Sequence, residues 1–164
     1  MTAAVHYLIR LGCLVAAFGI LTSCSSVCTG PGGEVTKVKI YKLNAAHRFQ
    51  PQTDRSIRFE QERLLYGAVT QAERINRNGQ YYTVFWKANE MSQPVTVRFE
   101  YRQQKTGLKI HVKEEQVSEV KKKNVSYLQV AGPEYKDDGA VTAWRVTLLR
   151  GKEELAHADS FLWN

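Results

Sequence analysis

From residue 34 to the C-terminus the dominant spacing of apolar side chains is two. Val95, Val97, Phe99 and Tyr101 fall on one side of an extended chain, with Thr96, Arg98, Glu100 and Arg102 on the other, the signature of a half-buried strand. Leu108, Ile110 and Val112 alternate with Lys109, His111 and Lys113 in the same way, so the apolar triplet is expected to face a core. The joining segment, residues 103–107, carries a glycine suited to a positive φ, and the whole predicts a hairpin.

Further strands are expected at residues 35–43, 80–88, 124–130, 140–149 and 153–162, with residues 57–62 as another candidate. Asn78-Gly79 is the strongest short hairpin signal in the chain. It predicts that residues 64–77 form the strand preceding residues 80–88. Asp138-Gly139 opens the strand at 140–149, and Arg150-Gly151-Lys152 turns it into the last one. Residues 114–123 resist assignment, because Val117 and Val120 suit either a helical turn or an irregular strand.

About eight short strands with regularly spaced turn signals predict an all-β domain. No strand alternates with a long helical pattern, which argues against a parallel α/β sheet. An immunoglobulin- or fibronectin-III-like antiparallel β-sandwich is preferred to an eight-stranded barrel, since about 130 residues fit it and several strands are short for closure. The lack of a paired cysteine framework excludes a classical antibody domain. Trp144 shares its face with Val146 and Leu148 and is expected to be buried. Tyr82, Val84, Trp86 and Ala88 form the core face of their strand, leaving Tyr81, Thr83, Phe85 and Lys87 opposite.

The N-terminus has a different pattern. Residues 1–10 carry Arg10, and residues 11–21 form an uncharged apolar run of 11 residues. That length suits the h-region of a secretory signal and falls short of a membrane span. Leu21-Thr22-Ser23-Cys24 follows directly and resembles the lipobox of bacterial lipoproteins: an aliphatic residue, two small ones, then cysteine. The resemblance implies cleavage after Ser23, a diacylglyceryl group on the Cys24 sulfur and a further acyl chain on its amine. It also implies attachment to a membrane of the cell envelope, and Ser25 is compatible with onward transport to the outer membrane. The domain plan is then a cleaved signal at residues 1–23, a Gly/Pro-rich flexible tether at 24–33, and a β-sandwich at 34–164. The stretches YYTVFWKAN and VRFEYRQQKTG are similar to uncharacterised envelope lipoproteins built on one small β-domain, a resemblance that implies no activity.

Charge adds a second theme. The chain has 23 Lys and Arg against 16 Asp and Glu. Loss of the signal removes only Arg10, so the mature chain keeps a surplus of +6. Such a surplus suits either a solvated surface or anionic surfaces such as phospholipid head groups or acidic polysaccharide. Lys121-Lys122-Lys123, with Lys113 and Arg150, is a candidate basic patch. Tyr81 and Phe85 are unusually apolar for a wet strand face, and are expected either under another segment or in a partner site.

Catalytic patterns are missing. Cys13 leaves with the signal and Cys24 takes the lipid, so Cys28 is a lone thiol and neither a disulfide framework nor a structural zinc site is expected. His6, His47, His111 and His157 have no neighbours at metal-ligand spacing. No serine sits in a G-x-S-x-G elbow. The pairs Glu114-Glu115, Asp137-Asp138 and Glu153-Glu154 are sequence neighbours that point to opposite strand faces. Gly30-Pro31-Gly32-Gly33 precedes no helix and is no phosphate loop. The expectation is a lipid-anchored, non-enzymatic interaction or structural module without cofactor or metal. Its partners are the membrane through Cys24 and another envelope protein or anionic polymer, not nucleic acid. The alternative is a barrel carrying an apolar molecule, against which the large aromatics Trp86, Trp144 and Phe99 speak.

Overall fold

The computed structural model of the protein describes residues 28–45 and 54–163. The expected signal sequence, the expected lipidation site Cys24 and His47 lie outside the described residues. Eight strands form two stacked four-stranded sheets, antiparallel throughout. The first sheet holds β1 (Cys28–Thr29), β2 (Gly33–Leu43), β3 (Gly79–Ala88) and β6 (Asn124–Ala131), in that order. The second runs β5 (His111–Val117), β4 (Val95–Gln103), β7 (Val141–Arg150) and β8 (Glu153–Asp159). Setting β1 aside, the chain crosses between sheets as in an immunoglobulin- or fibronectin-III-like sandwich, the expected class.

Alternation builds the core. Val95, Val97, Phe99 and Tyr101 are buried as a set, and they meet Tyr82, Val84 and Trp86 from β3, Val146 and Leu148 from β7 and Leu155 from β8. Each such side chain contributes about 1.5–3 kcal/mol of burial. The ring centroids of Tyr82 and Phe99 are 4.7 Å apart and those of Phe99 and Tyr101 5.0 Å. Trp86 donates its indole N–H to the buried Ser126 hydroxyl at 3.2 Å. Trp144 faces inward as expected but is only half-buried at the core margin, edge-on to Tyr82 at 6.0 Å.

Four expectations change. Residues 57–62 and 64–77 are not strands: α1 (Arg55–Leu65) and α2 (Gln71–Ile75) occupy them. Their starts are set by side-chain caps. Asp54 accepts from the Ser56 amide at 2.7 Å. Thr70 accepts from the Glu73 amide at 3.2 Å, while the Glu73 carboxylate accepts from Thr70 at 2.9 Å and Val69 at 2.8 Å, a capping box. Asn78-Gly79 is therefore no hairpin turn but the link from α2 into β3. Asn78 accepts from the Ala45 amide at 2.6 Å, and Gly79 is needed because a Cβ there would lie 2.4 Å from the Val130 carbonyl oxygen.

The β4–β5 hairpin forms, and Gly107 has φ +61° as anticipated. Its second strand, however, faces the other way. Leu108, Ile110 and Val112 are exposed, while His111 and Lys113 are half-buried. His111 stacks on Tyr101 at 5.3 Å and Lys113 pairs with Glu134 at 2.7 Å. These inward contacts fix the facing, and a one-residue shift inverts every side chain.

The fourth change concerns the tether, since strand pairing already begins at Cys28, beside Val35. Gly32 donates to the Leu155 carbonyl at 3.1 Å, and a Cβ on Gly30 would lie 2.1 Å from the same oxygen. Here the glycines permit close approach of β1 to β8 rather than looseness. A short helix, α3 (Pro133–Asp138), precedes β7 and was not foreseen in the pattern. No helix among the described residues is long and apolar enough to cross a membrane.

Candidate functional site

The outer face of the first sheet is covered at one end and open at the other. Three cross-strand rows run over it: Tyr41–Tyr81–Gln129, Lys39–Thr83–Tyr127 and Lys37–Phe85–Val125. The helical segment shelters the first row. Tyr41 donates to the Ile57 carbonyl at 3.4 Å, and Tyr81 to that of Arg77 at 2.5 Å. Arg77 in turn donates to the carbonyls of Leu64 and Tyr66, both at 2.7 Å. Burial raises both phenol pKa values, and for Tyr41 the charge of Glu60 adds to it.

The third row is open. Phe85 and Val125 floor a depression of about 700 Å³ rimmed by Lys37, Lys39, Lys87 and Lys123. The Lys39 ammonium stands 5.4 Å from the centre of the Phe85 ring, within cation–π range. Lys87 pairs with Glu34 at 3.2 Å. Lys37, Lys39 and Lys123 make no ion pair among the described residues. Asn124 fixes the turn before β6: it accepts from the Lys121 amide at 2.8 Å and donates to the Lys121 carbonyl at 2.6 Å. That clamp sets Lys123 at the rim and leaves Lys121 and Lys122 exposed beside it.

Of the five residues singled out in the sequence, then, the fold unites Phe85 and Lys123, keeps Lys121 and Lys122 adjacent, and separates Tyr81 under the helices. Lys113 and Arg150 do not join the patch. Lys113 is held by Glu134 and by the Gln129 carbonyl at 2.7 Å, and Arg150 by Glu90 at 3.3 Å. Lys37, Lys39 and Lys87 were missed, although Lys37, Lys39 and Tyr41 repeat with period two and so share the outward face with Phe85 once β2 pairs with β3.

A second polar cluster lies at α3. Tyr101 donates to one Glu134 carboxylate oxygen and Lys113 to the other. Gln103 donates to the Gly139 carbonyl at 2.9 Å. The Tyr101 phenol is pushed well up, by burial first and then by the bond to Glu134 and its charge. With both carboxylate oxygens engaged, this arrangement fastens α3 to β4 and β5. No group of three or more His, Cys, Asp or Glu among the described residues is placed to hold a metal ion. His157 meets Glu154 at 2.6 Å on an exposed surface, and Cys28 is a free, half-buried thiol.

Comparison with known proteins finds no matching protein family, no matching curated protein and no matching solved structure.

Proposed function

We propose that the protein is a lipid-anchored component of the cell envelope that acts by binding rather than by catalysis. Its contact surface is the open half of the first sheet. One observation carries the reading. The same sheet face that helices shelter over Tyr41 and Tyr81 is left open over Phe85 and Val125, amid lysines of which three have no carboxylate partner among the described residues. An aromatic on a basic rim suits a negatively charged partner, with the ring supplying apolar contact and the ammonium groups orientation. The anchor rests on the sequence: three acyl chains on Cys24 bury far more methylene than the single chain that binds marginally, and Ser25 favours the outer membrane. A barrel holding an apolar molecule has less support, because Tyr82 of one sheet meets Phe99 and Trp144 of the other ring against ring.

Two measurements test the reading. Intact mass of membrane-extracted protein should show Cys24 as first residue bearing diacylglycerol, and Cys24→Ala should leave unprocessed precursor. A photo-reactive phenylalanine analogue placed at Val125 should form adducts in native envelopes, whereas one at Val112, on the other sheet, should not. Equal labelling at both positions, or none at Val125, refutes the contact surface.

A further inference from the structure

We infer that the occupant of this lysine-rimmed face is the anionic phospholipid surface of the membrane that holds the anchor, so that the domain lies with its first sheet against the head groups. The inference rests on the lipoprotein reading above and adds which face meets the bilayer. The chain joins the sandwich at Cys28, on the free edge of β2 beside Val35. Cys24 is four residues upstream, and an extended chain spans at most about 3.6 Å per residue. The lipid is therefore held within about 14 Å of this edge. Lys37 and Lys39 lie along the same β2, roughly 7 and 13 Å beyond Val35 at strand rise.

Two outer faces meet at the tethered edge, because β8 of the second sheet lies against β1 and β2. They differ in charge. β8 carries Glu153, Glu154 and Asp159, with Glu154 against His157 and Asp159 against Arg145, so β8 offers no unpaired cation along the edge. The first sheet presents Lys37, Lys39 and Lys123 around Phe85, with no carboxylate partner among the described residues. A negative bilayer attracts the lysine face more strongly than the β8 side, and the partly exposed Phe85 ring adds apolar contact at the head-group boundary. The short leash raises the local concentration of head groups at the lysines, so modest contacts suffice.

The test uses the lipidated protein, its acylation verified by mass, in vesicles of phosphatidylcholine alone or mixed with phosphatidylglycerol. The photo-reactive analogue at Val125 should yield phospholipid adducts in the mixed vesicles, and at Val112 it should not. High salt should suppress them through screening. Each of Lys37→Gln, Lys39→Gln and Lys123→Gln should lower the yield about fivefold. Adducts undiminished in neutral vesicles, or equal at Val125 and Val112, overturn the inference. Protein adducts at Val125 in native envelopes, without lipid adducts in mixed vesicles, overturn it too while leaving the contact-surface reading standing. No adduct at Val125 in either setting removes both.

Discussion

Gly30→Ala separates a folded hairpin from a loose tether by the sign of its effect. Within a disordered tether, replacing glycine by alanine leaves stability untouched. Where the native backbone accepts alanine without strain, the change stabilises by about 0.4–1 kcal/mol through the unfolded chain. Gly30 has no positive φ, so its backbone accepts alanine. Its surroundings do not. The new Cβ would stand 2.1 Å from the Leu155 carbonyl oxygen and 2.6 Å from the Ala156 Cα, where ordinary contact is 3.4 Å or more. Backbone atoms cannot swing aside as a side-chain tip can, so the β1 hairpin must lift by more than an ångström. Overpacking of this kind costs about 1–3 kcal/mol. Lifting also strains the Gly32 bond to Leu155 at 3.1 Å, worth about 0.5–1.5 kcal/mol. The expected loss is about 2 kcal/mol, or roughly 5–10 °C in Tm for a domain of this size. Thermal and urea unfolding followed by far-ultraviolet circular dichroism reads it directly. A Tm equal to or above that of the parent refutes the packing of β1 on β8.

Trp86→Ala removes a fully buried ring and orphans the Ser126 hydroxyl, so it should cost about 3–5 kcal/mol. Trp144→Ala, at the half-buried core margin, should cost clearly less; equal losses in urea unfolding would place Trp144 in the deep core. Glu73 is held below the ordinary carboxylate range by its bonds to the Thr70 and Val69 amides. A folded pKa below the unfolded one contributes stability above the unfolded value and loses it as pH falls through the folded value. The Val69 and Thr70 amide resonances should therefore move, and α2 fray, as pH falls below the ordinary glutamate carboxyl range. Glu73→Gln should flatten that response, and an unchanged titration in the variant would reject the capping box.

The sandwich was legible wherever one side chain in two was plainly apolar. Val95 to Tyr101 and Tyr82 to Trp86 read correctly because strict alternation leaves one facing. The edge strand β5 defeated the same rule. Val112, and Leu108 and Ile110 leading into it, lie outward because Tyr101 across the hairpin claims His111 and the distant Glu134 claims Lys113. The helices were hidden behind Asn78-Gly79, whose hairpin preference outweighed a signal that was present: Thr70 followed at the third position by Glu73, with Asp54 ahead of α1. Half of the candidate site was visible as Phe85 and Lys123. Lys87 follows Phe85 on β3, while Lys37 and Lys39 belong to β2, and only the pairing of β2 with β3 brings them to the same rim.

The grip of Lys113 on Gln129 has a consequence for how many copies of this protein can share a surface. β5 and β6 end their respective sheets on the same side, and an uncovered strand edge is a template for a neighbour's strand. Lys113 reaches across from one sheet to occupy the carbonyl of Gln129 in the other, and β5 itself carries Lys113, Glu114 and Glu115 in succession. A second chain approaching edge-on would have to displace that ammonium and desolvate those carboxylates before gaining its first ladder bond. On this side of the sandwich, pairing with a neighbour's strand therefore starts at a cost.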